Sequence, residues 1–365
     1  MFDAAALVCS HIRAMPAYEP ILPFEVLSRQ LGRPAEAIVK LDANENPYGP
    51  LPQVREALAR LPYAHIYPDP GSQALRQALA EYHGIPFENL VAGAGADELI
   101  DLLLRLVIEP GDAMLNCPPT FGMYAFDGNL NRAQIIPVPR RPDFSLDLPA
   151  IMAAAREHRP KLLFLASPNN PDGSLSGRQV IESLLELPLL LALDEAYIEF
   201  APPGSSLLQE AARRSNLVVL RTFSKWAGLA GLRVGYGVFP NSLLPHLWKI
   251  KQPYNVSAAA SAAAIASLQH ADELQRIGRL ILAERERLFT RLAAIPWLQP
   301  FPSHANFILC RVQGRSAAFV KQRLAERGIL VRYFDKPGLQ DCIRISIGKP
   351  EHSDALLAAL ETLEV

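Results

Sequence analysis

The sequence predicts an α/β fold in two parts, a large and mostly parallel sheet with helices on both faces and a smaller α+β part after it. Three observations lead there. The chain has 365 residues, a length that suits about two domains. From Leu51 onward, short apolar runs alternate with longer amphipathic ones, the pattern of repeated strand–helix units. After about Tyr254 this gives way to a long alanine-rich helical stretch and a second set of strands.

In chain order, residues 1–40 form an arm with Pro16, Pro20 and Pro23 and no apolar core of its own, expected to lie across one part and to belong with the smaller. Residues 41–255 make the large part. PQVREALARL and GSQALRQALAEYHG carry apolar residues at helical spacing, and Gly84 with Pro86 ends the second. DELIDLLLRLVI reads as a helix capped by Asp97 and closed by Pro110 and Gly111. The runs AMLNC, QIIPV, KLLFLA, LLLALDEAY, NLVVLRTF and VGYGVF are short and mainly apolar, as strands buried on both faces are. Residues 256–365 make the smaller part. There SAAASAAAIASLQHADELQRIGRLILAERERLFTRLAAI reads as two helices or one bent helix. Strand HANFILCRV, a helix near SAAFVKQRLAERG, strands ILVRYF and CIRISIG and a last helix EHSDALLAALETL follow.

Half the residues are hydrophobic and a fifth are charged, the composition of a soluble globular protein. A net charge of -1 gives no basic field for nucleic acid or an anionic membrane, so any anion must be bound locally. The first residues lack the pattern of a signal peptide, and the longest uncharged run, Gln252 to Ala271, is too weakly apolar to span a bilayer. A cytoplasmic location is expected. Cys9, Cys117, Cys310 and Cys342 form no CxxC pair and the histidines no HxH or HxxxH, so reduced structural thiols and no metal are expected.

The chemistry centres on Lys225, in LVVLRTFSKWAGLAGLRVGYG from Leu217 to Gly237. Most loop lysines are simply solvated. This one follows an apolar strand pattern, and enclosure beside Thr222, Ser224 and Arg233 would strip its hydration and set a cation near it. Both effects lower an amine's pKa toward the nucleophilic form that a Schiff-base lysine needs. Upstream, LLLALDEAYIEF ends a buried strand in Asp194, with Tyr197 three residues on. Taken alone, a helix cap after a strand is the more common reason for such an Asp, but the carboxyl edge of a parallel sheet is where ligand crevices form. SPNNPDG, Ser167 to Gly173, follows KLLFLA and presents Asn170 in what is otherwise a plain turn. VAGAGADELI runs a glycine-rich turn into a helix, where the amides of Gly95, Ala96 and Asp97 suit a phosphate. CPPTFGMY offers the face of Phe121.

These motifs resemble the pyridoxal-phosphate aminotransferases of fold type I. LDANENPYGP, Leu41 to Pro50, and YPDPGSQALR, from Tyr67, are most similar to the histidinol-phosphate aminotransferase family, and the similarity covers nearly the whole chain. The resemblance implies pyridoxal 5'-phosphate on Lys225, with Asp194 opposite the pyridine nitrogen, Tyr197 and Asn170 at the phenolic oxygen and Phe121 stacked on the ring. It implies a phosphate held by Gly95, Ala96, Asp97, Thr222, Ser224 and Arg233. It also implies a homodimer with shared sites, in which Tyr67 reaches the neighbouring subunit's cofactor phosphate; an ordinary half-buried tyrosine before a turn is the alternative. Three positions depart from the family pattern: Ala96 replaces a hydroxyl residue common in relatives, Phe121 replaces the more frequent Tyr, and Asp172 replaces a Thr, a change expected to weaken the turn.

The implied reaction exchanges an amino group between L-histidinol phosphate and imidazole acetol phosphate and between glutamate and 2-oxoglutarate, a step of histidine biosynthesis. One site must then take a phosphate in one half-reaction and a carboxylate in the other. Arg344 in CIRISIG and Arg332 in ILVRYF match the family's anion-binding arginines, and Tyr18 in PAYEP is a further candidate for that anion. Fixing the anion sets Cα–H perpendicular to the ring, where Lys225 moves the proton. A phosphothreonine decarboxylase, which shares most cofactor motifs, and an aromatic amino-acid aminotransferase are the alternative enzymes. A non-catalytic regulator would carry a DNA-binding domain, for which the length before Leu41 and the charge balance leave no room.

Overall fold

Twelve strands form two sheets in the computed structural model, which describes residues 2–17 and 22–363. They are β1 (Val39–Leu41), β2 (Leu90–Gly93), β3 (Ala113–Asn116), β4 (Gln134–Pro137), β5 (Leu162–Ala166), β6 (Leu190–Asp194), β7 (Leu217–Thr222), β8 (Gly235–Val238), β9 (Leu298–Pro300), β10 (Phe307–Val312), β11 (Ile329–Tyr333) and β12 (Cys342–Ser346). The large sheet has the order β2-β8-β7-β6-β5-β3-β4. Strands β3 to β7 pair in parallel, and β8 lies antiparallel between β7 and β2. The mostly parallel sheet is therefore present with one reversed strand. β2 is an addition to the expected strands, because the glycines of LVAGAG make the whole run read as a turn.

Alternate residues of β5 point to opposite faces. Leu163 and Leu165 pack with Leu75, Leu79, Ile151 and Ile181 on one side, whereas Leu162 and Phe164 pack with Leu99, Leu103 and Tyr124 on the other. Burial on both faces is why these strands read as continuous apolar runs. Gly84, at φ +64°, ends the helix Gln73–His83 in the left-handed conformation that suits glycine. The expected cap at Asp97 is corrected: the helix is Ala96–Val107 with Gly95 at its N-cap. Asp97 sits inside the first turn, where its carboxylate is held by an arginine described below.

The alanine-rich stretch is two helices, Ala258–Gln269 and Ala271–Ala293, that meet at His270. The first packs on the helices Pro52–Ala59 and Gln73–His83, a close approach that small side chains allow. The smaller sheet has the order β1-β11-β12-β10-β9 and is antiparallel except where β1 joins β11. The arm packs here too, since the helix Phe24–Leu31 sets Leu27 against Ile38 and Leu330. From β1 the chain leads directly into Asp42–Asn46, which crosses from the smaller sheet to the edge of the larger one.

Candidate active site

Asn170, Asp194 and Lys225 follow or end β5, β6 and β7, at the carboxyl edge of the parallel strands. Lys225 Nζ donates to the Ala43 carbonyl at 3.3 Å. Its side chain keeps some contact with solvent, yet protein surrounds its amine, and burial pulls its pKa down to about 8, with Arg344 and Arg233 adding repulsion against the opposing pull of Glu45 and Asp97. A substantial fraction is thus the neutral nucleophile at mildly alkaline pH.

Asp194 is 5% exposed, and its carboxylate has two donors: Tyr124 Oη at 2.6 Å on Oδ2 and the Ala196 amide at 3.0 Å on Oδ1. Burial pushes its pKa up to about 6, and the two hydrogen bonds oppose that rise. Tyr197 Oη accepts from Asn44 Nδ2 at 3.1 Å and from Asn170 Nδ2 at 3.5 Å, which leaves its proton free to donate elsewhere. Asn44 is itself pinned in the left-handed region at φ +56° by Ser346, whose hydroxyl accepts from its backbone amide at 2.8 Å and donates to its Oδ1 at 2.9 Å. Tyr124 and Asn44 lie in quoted motifs, CPPTFGMY and LDANENPYGP, but no local spacing reveals that they reach Asp194 and Tyr197.

A second cluster gathers beside these groups. Arg233 Nη2 binds Asp97 Oδ2 at 2.6 Å, and its Nη1 reaches Ser224 Oγ at 3.3 Å. Thr222 Oγ1 bonds Ser224 Oγ at 2.9 Å. Gly95 lies so close that a Cβ there would stand 2.5 Å from Arg233 Nη2. The first-turn amides of the helix Ala96–Val107 have no partners within the helix, so a cation, two hydroxyls and a helix start share one small volume.

From the smaller sheet comes Arg344, 4% exposed, with Nη1 on Asn170 Oδ1 at 2.5 Å, Nη2 on the Asp42 carbonyl at 2.8 Å and Nε without a partner among the described residues. Burial, with repulsion from Arg332, brings its pKa down to about 10. Arg332 stands opposite it in the β11–β12 register, and both guanidinium groups lie over Phe334, at 5.4 Å from the ring centre. Phe121 is partly buried, with its ring edge-on to Tyr124 at 5.5 Å. Tyr67 stands apart from this group: it is 79% exposed and stacked on Tyr254 at 4.7 Å. Tyr18 lies outside the described residues.

Asp172 has two partners in the turn: its buried carboxylate accepts from Asn169 Nδ2 and, at 2.9 Å, from the Ser174 amide. Asn169 is anchored in turn to the Pro119 carbonyl at 3.1 Å and accepts from Thr120 Oγ1 at 2.8 Å. These bonds fix the loop that presents Asn170.

The family model described as aminotransferase class I and II matches residues 36–360. A histidinol-phosphate aminotransferase of Roseiflexus castenholzii is 53% identical over 358 residues, 96% of each chain. A chloroplastic histidinol-phosphate aminotransferase of Nicotiana tabacum is 52% identical over 357 residues, 98% of this chain and 86% of the relative. The crystal structure of histidinol-phosphate aminotransferase from Sinorhizobium meliloti, in complex with pyridoxal-5'-phosphate, superposes with a TM-score of 0.88 at 32% identity, over 97% of this chain and 96% of that one. The chain belongs to the class I and II aminotransferases and, within them, to the histidinol-phosphate aminotransferase family.

Proposed function

We propose that this protein is a pyridoxal-phosphate-dependent aminotransferase that exchanges an amino group between L-histidinol phosphate and 2-oxoglutarate. The observation that carries the reading is the convergence of an amine with its pKa lowered to about 8, a buried carboxylate and a buried arginine around Tyr197 at the carboxyl edge of the large sheet, with the arginine's Nε unpartnered among the described residues. The residues present also fit the cofactor. Lys225 suits its aldehyde, Asp194 its ring nitrogen, and Tyr197 with Asn170 its phenolic oxygen. The close approach of the Gly95 backbone to Arg233, the amides of Ala96 and Asp97, the hydroxyls of Thr222 and Ser224 and the Arg233 guanidinium suit its phosphate. When bound, the cofactor supplies a carbonyl for amine exchange and a ring that delocalises the electron pair left on the substrate's Cα.

The chain's own residues do the rest. Arg344 holds the substrate anion in two-point fashion, and Arg332 adds the charge that a dianionic phosphate requires over a carboxylate. With that end fixed, Lys225 takes the proton from Cα and returns it at C4′ of the cofactor. Phe121 would offer its face to the ring.

The reading extends to a homodimer with Tyr67 reaching across, supported by the exposure of the large side chains Tyr63, Ile66 and Tyr67. It places the protein in the cytoplasm, a reducing compartment with which its unbridged cysteines accord; no helix of the described residues is long and apolar enough to cross a membrane. Residues 41–255 would act as the cofactor-binding unit, with 1–40 and 256–365 as the smaller substrate-binding unit. The helix Ala258–Gln269 is their packed junction.

Purified holoenzyme given histidinol phosphate, histidinol, phenylalanine and phosphothreonine in single turnovers tests the reading. Rapid amino transfer from histidinol phosphate alone is expected. Indifference to the phosphate would make the protein an aromatic aminotransferase, and carbon dioxide released from phosphothreonine would make it a decarboxylase.

A further inference from the structure

Tyr124 is fully buried on the helix Met123–Leu130, with its ring stacked on Phe164 at 4.9 Å and 7° and edge-on to Phe121 at 5.5 Å and 84°. Its packing shell includes Leu162, Met114 and Ala166, so a phenylalanine would fill the same space. The hydroxyl adds one thing, the 2.6 Å bond to Asp194 Oδ2. Burial and the neighbouring carboxylate push the phenol's pKa well above its usual value, so it stays protonated and is the donor.

We infer that Tyr124 is a positioning residue for the reaction: its hydroxyl aims the Asp194 carboxylate and keeps it the weaker base of the pair it makes with the cofactor's ring nitrogen, so the proton stays on the ring. The inference rests on the reading of Asp194 as the partner of that nitrogen. Burial drives Asp194 toward the neutral acid, which would take the proton from the ring and remove the positive charge that makes it an electron sink. The charges of Asp97, held by Arg233, and of Glu195, held by Arg221, push in the same direction. Against them stand two donors, the Tyr124 hydroxyl, whose effect is the larger, and the Ala196 amide. The two sit on different oxygens, and each oxygen keeps a further lone pair for the ring N–H.

Tyr124→Phe in the holoenzyme, loaded with cofactor labelled with 15N in the ring, tests this without relying on turnover. The nitrogen resonance is expected to move from the protonated toward the unprotonated position, and kcat to fall roughly tenfold to a hundredfold with KM little changed, as suits loss of one charge-assisted hydrogen bond. In an Asp194→Asn background the same substitution is expected to change kcat less than about twofold, because the two residues act as one unit. An unmoved resonance in Tyr124→Phe, with Asp194→Asn clearly impaired, would overturn the inference and leave the Asp194 reading standing. A normal resonance and normal turnover in Asp194→Asn would overturn both. Should Tyr124→Phe fail to fold, a fluorotyrosine incorporated at position 124, a stronger donor of nearly the same shape, is expected to move the resonance further toward the protonated position; no movement would sink the idea.

Discussion

Arg344 Nη1 donates to Asn170 Oδ1 at 2.5 Å, so β12 of the smaller sheet is fastened to the loop that follows β5 of the larger. The same guanidinium holds the Asp42 carbonyl, and the same amide faces Tyr197 Oη. Arg344→Ala therefore removes a buried cation and also releases Asn170. Both half-reactions, with glutamate and with histidinol phosphate, are expected to slow by about a hundredfold or more. Arg344→Lys restores the charge without the planar fork and is expected to recover only part of the loss. Single-turnover rates check this, and a loss confined to one substrate would end the shared role.

Lys225 gives a pH dependence with a definite sign. Its amine titrates near 8 in the folded protein against 10.5 ordinarily, so the folded state binds fewer protons between those values and gains stability as pH rises through that window. Below about pH 8 the protein bears the full cost of a confined ammonium. Lys225→Met apoprotein is expected to melt above the wild-type apoprotein at pH 7, with the difference shrinking toward pH 10.5, while borohydride fixes no cofactor to it. For the wild type, covalent attachment of added cofactor should quicken with pH about a midpoint near 8, because only the neutral amine attacks. A flat rate across that range would place the attachment on another group.

The residues that were legible in the sequence are those that sit at strand ends inside local patterns. Lys225, Asp194, Tyr197 and Asn170 each follow an apolar run, and a strand end fixes where such a residue goes. Their supports are not local. Asn44 meets Tyr197 across 153 positions and Tyr124 meets Asp194 across 70, and no periodicity records a contact of that kind. The reversed direction of β8 is equally hidden, since VGYGV is buried on both faces whichever way it runs. β1 is three residues long and is held as a strand only by its pairing with β11, so it has no pattern to read. The contacts of Asp172 are hidden for a related reason, since its carboxylate finds two donors that only the folded turn brings together.

Gly95 shows how little space the phosphate cradle leaves. At φ +83° and ψ 171° it adopts a conformation open in practice to glycine alone, and a Cβ would stand 2.5 Å from Arg233 Nη2. Gly95→Ala is expected to cost about 1–3 kcal/mol of stability from the backbone alone. It should also displace Arg233 from Ser224, and cofactor affinity is expected to fall well beyond what the lost stability accounts for. Equilibrium unfolding of the apoprotein and titration with pyridoxal phosphate separate the two effects. Unchanged cofactor affinity would remove Gly95 and Arg233 from the cradle.

Tyr67 carries the reading that the sites are shared. In the single chain it is 79% exposed, and Tyr63 at 62% and Ile66 at 55% are exposed close by in sequence. If its hydroxyl reaches the phosphate of a neighbouring subunit's cofactor, then Tyr67→Phe should loosen cofactor retention several-fold while leaving the dimer intact, since the stacked ring on Tyr254 is kept. Mixing gives the sharper result. A Lys225→Ala chain is inactive and a Tyr67→Ala chain impaired, but in a hybrid dimer one site would combine Lys225 from one chain with Tyr67 from the other. Activity above that of either parent is expected on mixing. Were Tyr67 to serve its own chain's site, every site with Lys225 would still bear Ala at position 67, and verified hybrids would show no gain.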